Sequence, residues 1–106
     1  MYNKSLFEHL PLSGLKVLDA TSNIAGPFGG AILADLGAEV IKIETPAGDA
    51  SRTMTPQDGD RSAYFHIVNR NKSAISIDLK SAEGQAQLKE LLADTCLLYT
   101  SDAADE

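Results

Sequence analysis

The sequence predicts an α/β fold built on an incomplete parallel β-sheet, in the order β-α-β, long loop, β-α. Residues 15–45 read as strand, glycine-bearing turn, helix and strand within about thirty residues, the minimal unit of such a sheet. Residues 45–62 are rich in Pro, Gly, Asp, Ser and Thr, which indicates a long loop. Residues 74–92 read as a third strand followed by a helix. Strands joined by one helix are expected to be parallel, with a right-handed crossover.

Apolar runs identify both strands of the first unit. Residues 15–19 are almost continuously apolar until the closing aspartate, which predicts a strand buried on both faces. The second strand covers Glu39–Glu44, where a valine and two isoleucines favour β structure. Lys42 and Glu44 are predicted to mark the solvent edge of this second strand.

The helix between these strands is predicted to begin at Pro27, because the first helical turn does not need the N–H that proline lacks. Gly37 is its predicted end, since glycine can adopt the positive φ of a helix terminus. The helix carries a broad apolar face, made of Phe28, Ala31, Ile32, Ala34 and Leu36.

Gly26, Gly29 and Gly30 surround the start of this helix, and two interpretations stay open. Small residues allow a ligand to approach exposed backbone N–H groups and the positive end of the helix dipole. They also allow the helix to pack closely on the sheet. The spacing is not the G-x-G-x-x-G of dinucleotide sites, although Glu44 stands where that fold places an acidic residue on a ribose.

The second half of the chain supplies the remaining elements. Residues 62–68 predict a short helix, residues 69–72 a polar turn, and residues 74–79 a strand, because apolar and polar residues alternate there. Ser81 is the predicted N-cap of the last helix, with Glu83 in its first turn. One face of that helix is apolar, formed by Leu88, Leu91 and Leu92.

Composition excludes several functional classes. Fifteen acidic and nine basic residues give a net charge of −6, and no basic stripe is present, which argues against general nucleic-acid binding. No segment approaches the roughly 20 apolar residues of a membrane span, and the first ten residues lack a signal-peptide design, so we expect a cytoplasmic protein. One cysteine and two separated histidines predict neither a disulfide framework nor a metal site.

The last eleven residues, CLLYTSDAADE, differ in character from the rest. They resemble a transposon-end adapter of sequencing libraries, translated in one reading frame. We therefore expect residues 1–95 to be part of the natural protein and residues 96–106 to be a non-native tail. The alternative is a genuine short strand over residues 96–100. On the first interpretation the natural protein, called the parent protein below, continues beyond Thr95 with a different sequence.

Three segments together resemble the amino terminus of the family III CoA-transferases, the CaiB/BaiF type that includes formyl-CoA transferase. They are GLKVLDATSNIAGPFGGAILADLGAEVIKIE (14–44), GDASRTM (48–54) and NRNKSAISIDLKSAEGQAQLKELL (69–92). The resemblance implies a Rossmann-like large domain made from both ends of the chain, and an interlocked homodimer. It also implies transfer of CoA between an acyl-CoA and a carboxylic acid. An aspartate nucleophile would form a mixed anhydride and then an aspartyl-CoA thioester.

The resemblance also assigns residues to coenzyme A binding. They are Ile24, Ala25, Arg52, Lys72, Ile77, Asp78, Leu79 and Lys80. Lys80 is the predicted phosphate partner, as a mobile point charge, and Arg52 could hold a phosphate bidentately. The nucleophilic aspartate lies downstream of Thr95, so no catalytic residue and no metal site is assigned in this chain. We expect the chain to be inactive by itself.

The chain departs from the family pattern at several positions. Residues 21–23 stand where relatives often place Arg or His, and Thr45 and Ser73 stand where arginine is common.

Two alternative functions remain open. An α-methylacyl-CoA racemase would share the fold and also keep its acid/base residues downstream. A stand-alone coenzyme- or nucleotide-binding module would fold and bind its ligand alone. We expect instead that the isolated chain is unstable, because it buries too little surface.

Overall fold

The computed structural model of the protein describes residues 8–100. Its strands and helices, named here in chain order, are β1 (Lys16–Asp19), α1 (Ala25–Asp35), β2 (Glu39–Glu44), β3 (Gln57–Asp58), β4 (Arg61–Ser62), α2 (Ala63–Val68), β5 (Lys72–Ser76), α3 (Ala82–Leu92) and β6 (Leu97–Tyr99). Four strands form one parallel sheet in the order β5-β2-β1-β6. The predicted α/β class and parallel sheet are confirmed.

The β1-α1-β2 unit has the predicted connectivity. β1 and β2 are parallel neighbours in the register Val17↔Val40, and Gly37 follows α1 with a φ of +108°. The predicted helix start was wrong by two residues, because α1 begins at Ala25 and not at Pro27. Pro27 still lies in the first turn, where backbone N–H groups have no partner within the helix, so proline is tolerated there.

Helices cover both faces of the sheet. On one face Val17 and Val40 pack with Ala34 of α1, and on the other Leu18 and Ile77 form a cluster against α3. The predicted apolar face of α3 is confirmed for two of its three leucines, which pack on this second cluster, while the third, at position 92, is exposed. Charged side chains also enter the core, as described below.

The apolar face of α1 is divided differently from the prediction. Ala31 and Ala34 are buried against the sheet, whereas Phe28, Ile32 and Leu36 are 40–46% exposed. Small side chains face β1 and β2 because the helix axis lies close to the sheet. The larger apolar side chains therefore point to the outer side of the helix.

The third strand of the main sheet begins earlier than predicted. β5 covers Lys72–Ser76 and pairs with β2, whereas residues 74–79 were predicted as strand and residues 69–72 as turn. The turn ends at Asn71, which has a φ of +65°. Lys72 starts the strand because its side chain is drawn into the protein interior, where it meets an aspartate of β1. Apolar and polar residues continue to alternate after Ser76, the last residue of β5 that pairs with β2, so the pattern placed the end of the strand too late.

The segment predicted as a long loop contains short elements. A 3₁₀ helix covers Ala50–Thr53, and β3 and β4 form a small antiparallel hairpin around Gly59. The predicted short helix is confirmed as α2, and Ser62 caps it by accepting a hydrogen bond from the Phe65 N–H. Short side-chain caps hold these turns in place without a hydrophobic pattern, which is why the sequence indicated only a loop.

The proposed non-native tail is described in part. Its Leu97–Tyr99 stretch forms β6, which lies parallel to β1 in the register Val17↔Leu97. Residues 101–106 lie outside the described residues. Among residues 8–100, no helix is long and apolar enough to cross a membrane.

Candidate functional site

A cavity of about 350 Å³ opens at the carboxyl ends of β1 and β2. Its wall comes from three segments: residues 20–23 after β1, residues 43–50 at the end of β2 and beyond it, and Leu79 after β5. Parallel α/β sheets bind ligands in crevices at the carboxyl ends of their strands. The position of this cavity therefore makes it the candidate functional site.

Of the predicted coenzyme-binding residues, Leu79 lines this cavity, and Ile24 and Ala25 directly follow its wall in the chain. Ile24 is 39% exposed at the start of α1, directly after the cavity wall, and Ala25 beside it is also exposed. Leu79 lies in the chain between the exposed residues Asp78 and Lys80. The fold therefore brings together two segments that lie more than fifty positions apart in the sequence.

Ile77 and Lys72, which the resemblance also assigned to the coenzyme, are not among the residues that line the cavity. Ile77 is 1% exposed and belongs to the hydrophobic core. Lys72 Nζ lies 2.6 Å from Asp19 Oδ2 and also donates to Pro27 O and Asn69 Oδ1, both at 2.8 Å. These three bonds use all the hydrogens of an ammonium group. Lys72 therefore has no donor left for a phosphate in this arrangement.

The environment of the Lys72–Asp19 pair is fully buried. Their side chains are 1% and 0% exposed. Burial lowers the pKa of Lys72, and the carboxylate of Asp19 opposes that shift. Asp19 accepts two further hydrogen bonds at Oδ1, from the backbone N–H and the hydroxyl of Thr21. This arrangement compensates the buried negative charge, so Asp19 acts here as an ion-pair partner of the sheet.

Arg52 is also engaged, although its side chain is 45% exposed. Its Nε and Nη2 donate to the two carboxylate oxygens of Glu44 at 2.7 and 2.6 Å. Its guanidinium lies 4.0 Å from the ring centroid of Phe65, within the range of a cation–π interaction. Glu44 in turn accepts the backbone N–H of Asp49. Glu44 therefore accepts three hydrogen bonds from the segment after β2 and supports the cavity wall there.

The Glu44–Arg52 pair predicts a dependence of stability on acid. Hydrogen bonds from Arg52 lower the pKa of Glu44 below its ordinary value of 4.5, against the opposing effect of burial. The unfolded chain therefore binds more protons than the folded chain as the pH falls from 4.5 to the lowered pKa, and the stability that this pair contributes is lost over that range. Melting temperatures of the parent protein and its Glu44→Gln variant should differ most at neutral pH and converge in acid. A difference that stays constant with pH would contradict this prediction.

Sequence reasoning missed a buried ion pair between Lys42 and Asp49. Lys42 Nζ lies 2.9 Å from Asp49 Oδ2, and the two side chains are 1% and 2% exposed. Burial alone would raise the pKa of Asp49, but hydrogen bonds from Ser51 and the charge of Lys42 outweigh it and lower that pKa. The prediction that Lys42 and Glu44 mark a solvent edge was therefore wrong. An interior strand of a covered parallel sheet has no solvent edge, and this rule could have identified Lys42 as a paired residue.

Two glycines are required by close contacts. A Cβ on Gly30 would lie 2.3 Å from Asp19 Oδ2, and a Cβ on Gly84 would lie 1.8 Å from the carbonyl oxygen of Asp78. Gly30 therefore serves the packing of α1 on β1, one of the two interpretations of the glycine-bearing turn. Gly84 allows α3 to begin directly against the segment that carries Asp78 and Lys80.

Comparison with known proteins identifies the family of the chain. The family model described as CoA-transferase family III matches residues 12–100. Human succinyl-CoA:glutarate CoA-transferase is 51% identical over 85 residues, which are 78% of this chain and 19% of that protein. The acetyl-CoA:oxalate CoA-transferase of Acetobacter aceti is 48% identical over 83 residues, 77% of this chain and 21% of that protein.

Solved structures extend the similarity to the fold. The crystal structure of a CAIB/BAIF family protein from Brucella suis superposes with a TM-score of 0.79 at 41% identity, covering 86% of this chain and 25% of that chain. The chain spans about a fifth of the length of the curated relatives it matches. By its sequence and by its fold, the chain belongs to CoA-transferase family III.

Proposed function

We propose that the chain is the amino-terminal part of a cytoplasmic CoA-transferase that moves CoA between an acyl-CoA and a carboxylic acid. The observation that carries this proposal is the family match over residues 12–100, combined with a cavity at the carboxyl ends of β1 and β2. Relatives that share this segment are named as CoA-transferases that use succinyl-CoA or acetyl-CoA. The chain supplies part of the coenzyme site, and the parent protein acts as an interlocked homodimer.

The reaction proceeds through an aspartate of the parent protein that lies beyond Thr95. Its carboxylate attacks the thioester carbonyl, and the CoA thiolate leaves to give a mixed anhydride. The thiolate then attacks the aspartyl carbonyl, which releases the first acid and forms the aspartyl-CoA thioester. The incoming acid reverses these steps. Asp19 and Asp49 are unsuited to this role, because their carboxylates are buried in ion pairs with Lys72 and Lys42.

In this chain the coenzyme contacts are assigned to the two segments beside the cavity. Ile24 and Ala25 offer backbone and apolar surface at the start of α1, and Leu79 offers an apolar wall. Lys80 is exposed on the same loop as Leu79 and is the phosphate partner. Arg52 is a secondary candidate, because Glu44 leaves Nη1 of its guanidinium outside the two bonds it accepts.

Transferase activity of the parent protein tests the proposal. Mixing it with an acyl-CoA and a panel of carboxylic acids should give new acyl-CoA products, and trapping should add CoA to an aspartate of the protein. Epimerisation of a 2-methylacyl-CoA without exchange of CoA would identify the racemase alternative and contradict the proposal. The isolated 106-residue chain should show no transfer. A cooperative melt and tight CoA binding by that chain would support a stand-alone binding module instead.

The role of Lys80 has its own test. Lys80→Gln in the parent protein should raise the dissociation constant for CoA about tenfold, which corresponds to about 1.4 kcal/mol and suits a single charged phosphate contact. Lys89→Gln is the matched control. Lys89 is exposed on α3 and does not line the cavity, so this substitution removes the same charge at a different place. Titration calorimetry with CoA and with dephospho-CoA measures the dissociation constants of both variants. Equal effects of the two variants would show that Lys80 acts only through the general charge.

We also propose that residues 96–106 do not belong to the parent protein. The proposal is supported by the resemblance of these residues to a translated adapter sequence. The family match and β6, which both extend a few residues past Thr95, favour the alternative of a genuine strand. The nucleotide sequence from codon 95 onward decides the matter. Codons unlike the adapter would contradict the proposal, and a genomic sequence that continues differently would recover the missing catalytic part.

A further inference from the structure

Beneath the cavity, one buried lysine connects the two loops that form most of the cavity wall. Lys42 Nζ donates to the backbone carbonyl of Thr21 at 3.1 Å, in the loop after β1. The same ammonium lies 2.9 Å from Asp49 Oδ2, in the loop after β2. Thr21 and Asp49 both line the cavity. The single buried side chain of Lys42 therefore contacts both loops.

Asp49 extends this connection through its other carboxylate oxygen. Its Oδ1 accepts the backbone N–H and the hydroxyl of Ser51, both at 2.9 Å, and the backbone N–H of Asn23 at 3.3 Å. Asn23 has a φ of +68°, a conformation that non-glycine residues rarely adopt. The hydrogen bond that the Asn23 N–H donates to Asp49 helps to hold that conformation, and the next residue in the chain is Ile24.

We infer that Lys42 and Asp49 are positioning residues for the coenzyme, which set the separation of the loops over residues 20–24 and 45–51. This inference rests on the proposed function, because it concerns the same cavity. Neither side chain needs to touch the ligand. Their contribution is to hold the loop that leads into Ile24 and Ala25 in one arrangement before the ligand arrives, which removes an ordering step from binding.

A role in stability alone explains this pair poorly. Removing two charges from water is costly, and well-packed apolar residues of similar size often give equal or greater stability than a buried ion pair. What apolar residues cannot reproduce is the set of directional bonds to Thr21, Asn23 and Ser51. The bonds reach both loops at once, so their loss should affect the geometry of the cavity more than the packing of the sheet.

The test uses a double variant that keeps the fold and removes the bonds. Lys42→Met/Asp49→Leu replaces both charges with apolar groups of similar volume, so the parent protein should remain folded by circular dichroism. Its dissociation constant for CoA should rise at least tenfold, and KM for the acyl-CoA should rise more than kcat falls. Lys16→Met is the control, because Lys16 forms a surface pair with Asp94 on the same sheet. That variant should change CoA affinity less than twofold.

A second measurement needs no variant. In the free wild-type parent protein, the amides of Asn23 and Ser51 should exchange with solvent slowly, because both are bonded to Asp49. Free exchange of these amides in folded protein would overturn the inference, even if the double variant failed to fold. So would a folded double variant that binds CoA within twofold of wild type. Absence of CoA binding by the wild type would instead contradict the proposed function.

Discussion

Replacement of Lys72 by methionine should lower the stability of the β1–β5 region by about 3–5 kcal/mol, since it leaves a buried carboxylate unpaired. Lys72 and Asp19 are both buried, and their charged atoms lie 2.6 Å apart. Methionine fills similar volume but donates no hydrogen bond to Asp19, to Pro27 O or to Asn69. The lost free energy therefore comes from the uncompensated charge and not from a cavity. Hydrogen exchange of the β1 amides in the parent protein measures this local opening free energy.

The control for this prediction is a lysine of the same sheet at the surface. Lys16 pairs with Asp94 at 3.0 Å, but the Asp94 side chain is 69% exposed. Exposed pairs contribute only about 0–1 kcal/mol, so Lys16→Met should have a small effect. A double variant, Asp19→Leu/Lys72→Met, should recover most of the stability lost in Lys72→Met, because no charge is then left buried. Equal destabilisation by Lys72→Met and by the double variant would show that the unpaired charge of Asp19 is not the cause.

Replacement of Gly84 by alanine should destabilise the start of α3 by about 1–3 kcal/mol and displace residues 78–80, since an added methyl group overpacks the contact between α3 and that segment. The new Cβ would lie 1.8 Å from the carbonyl oxygen of Asp78, a backbone atom that cannot rotate away. α3 or the segment carrying Leu79 and Lys80 must therefore move. Affinity for CoA should fall together with the melting temperature of the parent protein.

Gln87→Ala is the matched control for Gly84→Ala. Gln87 is exposed on the same helix, where alanine is a good helix former, so stability should change by no more than about 0.5 kcal/mol. A Gly84→Ala protein as stable as wild type, with unchanged CoA affinity, would show that the helix start shifts freely. Alanine favours helix over glycine by about 1 kcal/mol, so a shift without strain would even stabilise the protein.

The local pattern of residues predicted much of the fold correctly. Apolar runs and the glycine at position 37 indicated the β1-α1-β2 unit, and Ser81 indicated the start of α3. These signals are local: a cap or a helix end depends on a few neighbouring residues. Two predicted starts were wrong. Pro27 is tolerated inside the first turn of α1 and so did not mark the start of the helix. Lys72 begins β5, and its side chain meets a distant partner, Asp19.

The candidate site was predicted in part. The resemblance named Ile24, Ala25 and Leu79, and the fold places all of them on or beside one cavity. It also named Lys72, whose ammonium is fully engaged in the interior. A lysine at a strand start looks the same in the sequence whether it pairs with a phosphate or with an aspartate. Its partner, Asp19, is 53 positions away, so no local pattern could distinguish the two.

By itself the sequence determined the α/β class, the order of the principal elements and the membership of the chain in CoA-transferase family III, because these depend on periodicity, caps and motif order. Only the tertiary structure decided which charged residues are buried. Lys42 and Glu44 occupy an interior strand, and their partners Asp49 and Arg52 lie in the loop that follows it. The free energy of a buried charge depends on which groups surround it in space, and chain order does not specify those neighbours.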